Sequence, residues 1–263
     1  MIRLKVSIEI SGKNVYAGLI TGNNSSDAVF AYDDTYLNNP AAAPISISLP
    51  LQSEPFTAVR TRNYFEGLLP EGFLKMTVAQ RMRTDENDYL SMLAALGREC
   101  LGAIMITDDS EDDTTPSYER LGTEQLRDLA REGVAMSVQL VAKAHLSLAG
   151  ASGKVGLYYD PENFAWYVPK GYAPSTHIVK QSHVRLDAIV ANEQLALSVA
   201  SELGIEVPES HIINLGEAQE DEVLFATKRY DRIIDLKNGS MISGLPAPVR
   251  LHQEGPGNGN CLC

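Results

Sequence analysis

Apolar and polar side chains alternate from the start of the chain. Leu4, Val6, Ile8 and Ile10 fall on one face of an extended segment. Ser11-Gly12-Lys13-Asn14 has the composition of a turn and Val15 to Ile20 returns, so the pattern predicts a β-hairpin. Phe30-Ala31-Tyr32 predicts one more short strand. A proline-rich stretch, Pro40 to Pro50, then leads to Tyr64-Phe65-Glu66-Gly67-Leu68-Leu69-Pro70-Glu71-Gly72, where apolar residues surround helix breakers and helices are expected on either side of the turn. Residues 73–83 and 85–96 carry apolar positions at helical spacing (Phe73, Met76, Val78 and Met82; Tyr89, Met92, Leu93 and Leu96), and Gly97 ends the second helix.

Asp108-Asp109-Ser110-Glu111-Asp112-Asp113, followed by Pro116, reads as a solvated linker and marks a subdomain boundary. Thr123 to Arg131 predicts a helix. Val155 to Tyr159 and Ala165 to Val168, joined by Asp160-Pro161-Glu162-Asn163, predict a second hairpin, and Thr176 to Lys180 another strand. A helix from about Leu186 to Leu203 is stopped by Gly204 and Pro208, and strands follow at His211 to Leu215 and Val223 to Thr227. No internal repeat is visible. The fold class is α+β, in two successive parts.

Composition narrows the classes of function. At 263 residues, with 44% hydrophobic and 21% charged side chains, the chain can build a real core in one large or two smaller domains. A net charge of −12 disfavours direct binding to a nucleic acid backbone. Cys100, Cys261 and Cys263 suit neither a disulfide framework nor a zinc site, and a reducing cytoplasm is the simplest expectation. No apolar run approaches the roughly 18 residues of a membrane span, and residues 1–20 lack an export signal.

Ser147-Leu148-Ala149-Gly150-Ala151-Ser152-Gly153-Lys154-Val155 is a run of small residues before a predicted hairpin. Such a run lets backbone N–H groups approach a phosphate, and the lysine adds a positive charge, although a tight turn without a ligand has the same composition. It departs from a Walker A sequence at Leu148 and Val155. Lys180 ends its strand on the face of Ile178, expected to be buried, where it wants an anion. On the next helix Glu193 falls within the apolar stripe of Leu186, Ile189, Val190, Leu197, Ala200 and Leu203, where it wants a cation. A strand lysine, an inward helix glutamate and a phosphate-accommodating loop are the parts with which a kinase amino-terminal lobe holds ATP; a purely structural ion pair is the alternative. The five histidines have no metal-ligand spacing, Ser147 sits in no nucleophile elbow, and no metal site is expected in this chain.

In their order these segments resemble the HipA-like serine/threonine kinases. The resemblance rests on Ser147 to Ala151 with Lys154, Pro169-Lys170-Gly171, Pro174 to Lys180, Asn192-Glu193 and Arg229-Tyr230-Asp231-Arg232. In the first half it rests on Ser48-Leu49-Pro50-Leu51, Phe65 to Gly72 and Leu96 to Ala103, and it covers about residues 4–254. It implies a HipA-like amino-terminal subdomain over residues 1–107, an acidic linker and helix over 108–135, and a kinase amino-terminal lobe over 136–250. It implies that Ala149, Gly150, Ala151, Ser152, Gly153 and Lys154 face the phosphates of ATP, that Lys180 binds phosphate, that Lys228 to Tyr230 contact adenine, and that Ser147 is an autophosphorylation site. The partners implied are a HipB-like DNA-binding antitoxin and a protein substrate such as an aminoacyl-tRNA synthetase.

The general base and the residues that hold Mg²⁺ belong to a carboxyl-terminal kinase lobe, and only 31 residues follow Arg232. The expectation is a chain inactive alone, with weak or no ATP binding and Mg²⁺ only in a full-length parent. A non-catalytic module that docks an antitoxin or a separate kinase half is the other expectation. After Leu251-His252-Gln253-Glu254 the family pattern gives way to a Gly- and Asn-rich stretch through Cys263; one base deleted after the Glu254 codon gives a continuation that resembles the family, so 251–263 reads as frameshifted.

Overall fold

The computed structural model describes residues 1–10, 13–98, 100, 104–108, 116–132, 136–137, 139–140, 153–171, 173–182, 188–230, 233–234 and 243–244. Alternation builds the first sheet. β1 (Ile2–Ile10) and β2 (Lys13–Gly22) pair antiparallel, with β3 (Val29–Tyr32) and β4 (Ile104–Asp108) completing the order β3-β2-β1-β4. Leu4, Val6, Ile8 and Ile20 turn to the buried face. Gly18 is needed where β2 meets β3, because a Cβ there would lie 2.2 Å from the Ala31 carbonyl oxygen.

Helices cover that face. After the single turn α1 (Asp34–Leu37) come α2 (Ala58–Glu66), α3 (Gly72–Met82) and α4 (Tyr89–Leu96). Thr57 and Asp88 cap α2 and α4 by accepting from the N–H groups of Arg60 and Ser91. The Phe65 to Gly72 segment is structural: Phe65 and Leu69 are fully buried, and Phe65 meets Phe30 edge-on at 5.4 Å. Glu66 accepts from Arg62 at 2.7 Å and Lys75 at 2.6 Å, tying α2 to α3.

The second sheet holds six antiparallel strands: β5 (Ser117–Leu121), β6 (Lys154–Asp160), β7 (Ala165–Lys170), β8 (His177–Gln181), β9 (Ser210–Asn214) and β10 (Val223–Lys228), in the order β5-β7-β6-β8-β10-β9. Asp160 closes the predicted hairpin turn by accepting from the N–H groups of Glu162 and Asn163. One face packs Val155, Val179, Leu224 and Ala226 with α5 (Thr123–Glu132); the other meets α6 (Ile189–Glu202) through Val190, Val223 and Phe225. β5 and α5 therefore belong to this sheet's unit, within the stretch read as linker and helix. Two residue pairs, Ile233–Ile234 and Ser243–Gly244, form a small ribbon, β11 and β12.

Arg229 ties the two units together. It is 3% exposed, and its guanidinium donates to Ser175 Oγ at 2.9 Å and to the Cys100 carbonyl at 3.4 Å.

Candidate functional site

The register of the second sheet aligns two rows on the face that α6 covers. Lys154 (β6), Lys180 (β8) and Phe225 (β10) stand opposite one another, and two residues along each strand come Gly156, Ile178 and Thr227. Two residues of strand separate the rows by about 6.6 Å. The first row carries two lysines beside an aromatic ring, the second a glycine, an isoleucine and a threonine.

Lys180 and Glu193 meet there as their separate periods predict. Lys180 Nζ donates to both carboxylate oxygens of Glu193, at 2.9 and 2.8 Å, and lies 5.7 Å from the centre of the Phe225 ring. Both side chains are half-buried. The buried face of β8 is not the one expected, however. Val179 and Gln181 are buried, while Lys180 and Ile178, both only half-buried, alternate to the other face, where Lys180 meets Glu193 of α6. The predicted inward stripe of α6 is also narrower than expected: Val190 is buried, but Leu203 is 73% exposed, because it follows Leu195 and Val199 at four-residue steps on the outer side of the helix, and Gly204 then turns the chain at φ 76°.

Lys154 is a strand residue directly opposite Lys180. Burial lowers its pKa from the usual 10.5, the charge of Lys180 adds to that, and Glu71 and Glu193 oppose it. Glu71 heads α3 in the first unit, so its charge reaches the site from the other sheet's unit. The sequence patterns gave no sign of that approach, since no local period links residues 71 and 154.

Other predicted residues are placed differently. Gly153 is described and packs against Gln181. Ala149, Gly150, Ala151, Ser152 and Ser147 lie outside the described residues. Lys228 is in register with His177, on the opposite face from Lys180, and its Nζ pairs with Glu209 at 3.1 Å. Its backbone N–H donates to the Glu209 carbonyl and that of Arg229 to Thr176, while Tyr230 is 85% exposed. The Lys228 side chain is therefore not brought to Lys180. Among the described residues no three His, Cys, Asp or Glu side chains are grouped to hold a metal, and no helix is long and apolar enough to cross a membrane.

Residues 8–107 match the HipA N-terminal domain family and residues 146–255 the HipA-like C-terminal domain family. Y4mE of Sinorhizobium fredii is 28% identical over 199 residues, which are 72% of this chain and 46% of that protein. The serine/threonine-protein kinase toxin HipA of Shewanella oneidensis is 26% identical over 226 residues, 81% of this chain and 48% of that one. A solved structure of Shewanella oneidensis HipA, with HipB and operator DNA, has the same fold at a TM-score of 0.68 and 18% identity, covering 91% of this chain and 53% of that chain. The chain thus spans about half the length of these relatives. Matched in both halves, in the same order and on the same fold, it belongs to the HipA-like family.

Proposed function

We propose that this chain carries the nucleotide-holding half of an ATP-dependent serine/threonine protein kinase of a toxin–antitoxin system, acting in the cytoplasm. The observation that carries the reading is the grip of Lys180 on both oxygens of Glu193, with Lys154 directly opposite. Lys180 alone is hydrogen-bonded to that carboxylate, whose charge Lys154 also feels, so positive charge exceeds negative on a half-dry face, which suits a polyphosphate. The lysine–glutamate pair is also the device by which protein kinases place the lysine on the α- and β-phosphates. In this reading Lys154, Lys180 and the loop from Ala149 to Gly153 hold the phosphates, Ile178 and Gly156 face the base, and the backbone from Lys228 to Tyr230 borders it. ATP supplies the phosphoryl group and Mg²⁺ arrives with it; no residue of this chain is given the part of metal ligand or general base. Ser147 is the proposed autophosphorylation site. A HipB-like antitoxin is the proposed partner, a reading supported by the Shewanella oneidensis complex. Any contact with DNA would pass through that partner.

Isothermal titration with ATP and Mg²⁺ tests the proposal. Lys180→Ala is expected to weaken binding at least about tenfold, the effect of losing one hydrogen bond to a charged group. No binding by the unaltered chain would overturn it. A second reading, a non-catalytic module that docks an antitoxin or a separate kinase half, is favoured by Leu195, Val199 and Leu203. These stand four residues apart on the outer side of α6 and are exposed. It predicts a tight complex without ATP.

A further inference from the structure

We propose that Gln181 is a positioning residue for the phosphate-facing loop, its buried side chain clasping two stems of chain, the helical turn at Ser137 and Gly153 just before β6, that stand before and after residues 147–152 in the sequence. The inference rests on the nucleotide reading of Lys180. Gln181 follows Lys180 directly, and strand alternation sends its side chain to the opposite face, into the core, opposite Leu224. Only 4% of it is exposed. A carboxamide among apolar side chains is costly unless paired, so an aliphatic residue would serve the core better.

Its surroundings explain the choice. Ser137 Oγ, itself fully buried, donates to Gln181 Oε1 at 3.1 Å across 44 residues of sequence. On the other side the amide lies against the Gly153 backbone so closely that a Cβ at Gly153 would stand 1.8 Å from Gln181 Nε2. Glycine is required there by the side chain laid over it, not by a turn. One side chain thus touches the chain both at Ser137 and at Gly153. Because Gln181 adjoins Lys180, it fixes both stems relative to the lysine that would meet the phosphates. A polar pair that merely filled the core would have no reason to engage both stems.

Amide hydrogen exchange at the stems, read beside ATP titration and urea unfolding, tests this in the whole chain. In Gln181→Leu, exchange at residues 136–137 and 153–154 is expected to accelerate about tenfold, the factor set by one ordinary buried hydrogen bond. The urea midpoint and exchange in Val223–Lys228 should stay unchanged, and ATP affinity should fall by a similar factor. Gly153→Ala should do the same, because the new methyl displaces the amide, yet add nothing in a Gln181→Ala background. Unchanged stem exchange, acceleration spread evenly over the second sheet, or additive effects of the two substitutions would each overturn the clasp. If the stems loosen but ATP affinity is unmoved in a chain that binds ATP, the positioning role is overturned. If the unaltered chain binds no ATP, the nucleotide reading fails by itself, and stem exchange still decides whether Gln181 holds the stems.

Discussion

Lys154→Met should raise the stability of the free protein while lowering its affinity for ATP. Methionine keeps most of the stem length and removes the ammonium that Lys154 presents directly opposite Lys180. Like charges facing each other across an antiparallel pair cost about 0.2–1 kcal/mol, and the half-buried ammonium carries a desolvation penalty besides. A gain of about 1 kcal/mol at neutral pH corresponds to a rise in Tm of about 2–4 °C for a chain of this size. The loss on the ligand side is larger. A hydrogen bond to a charged group is worth about 1.5–3 kcal/mol, so ATP affinity should fall between about tenfold and a hundredfold. The pH dependence has a definite sign. Folding lowers the pKa of Lys154 from its usual 10.5, so the unfolded chain binds more protons between the two values, and the wild-type protein gains stability as pH rises through that window. The advantage of Lys154→Met should shrink accordingly above neutral pH. Scanning calorimetry at several pH values and isothermal titration measure both sides. A lower Tm in Lys154→Met, or an unchanged ATP affinity, would refute the reasoning that this lysine is kept for an anion at the expense of the fold.

His177 and Arg229 give two further tests. Burial, helped by the charges of His211 and Lys228 and opposed by Glu209, holds the His177 imidazole down at about 4 from 6.5, against the rings of Tyr159 and Trp166. The unfolded chain therefore takes up the extra proton first, and stability is lost as pH falls from about 6.5 toward about 4; the ceiling of about 3 kcal/mol is cut to roughly 1–2 because the ring is partly wet. Urea midpoints between pH 7 and 4.5 should slope less in His177→Phe, and an equal slope would count against the assignment. Arg229→Ala leaves Ser175 and the Cys100 carbonyl without their guanidinium and should cost about 3 kcal/mol, lowering Tm by about 6–12 °C. A calorimetric shift under about 2 °C would show that the two units do not depend on this tie.

What could be read from the sequence follows from how one-sided each element's burial is. β1 and α6 show their periods because each packs one face: Leu4, Val6 and Ile8 in the first, Val190 with Ile189 and Leu197 in the second. α2 was legible only as a helix flanking the Tyr64-to-Gly72 breakers, without bounds, since among its nine residues only Thr61 and Phe65 are buried and no period shows. β5 was read as linker for a related reason. It is an edge strand, Ser117–Leu121, that buries only Leu121 and follows an acidic run, so nothing alternates. Tyr118 and Glu119 are held instead by register with β7, a partner more than 40 residues away.

The candidate site divides along the same line. Lys180 and Glu193 were legible because each is a polar interruption in its own local period, one of two residues and one of 3.6, and a lone charge on either surface needs the other. Lys154 carries no comparable mark. It stands at the end of a small-residue run, and only the sheet order β7-β6-β8 puts it opposite Lys180, with the whole of β7 between them in the chain. Gln181 and Ser137 are less visible still, since a glutamine at the end of a strand and a serine in a helical turn are ordinary surface residues until the fold buries both. Glu71 belongs to the other unit altogether. The charge at this site is thus assembled from the start of α3, from β6, from β8 and from α6. A window on the sequence sees one charge at a time, and the like-charge pair of Lys154 and Lys180, the feature that most distinguishes an anion site from a structural ion pair, exists only in the register between strands.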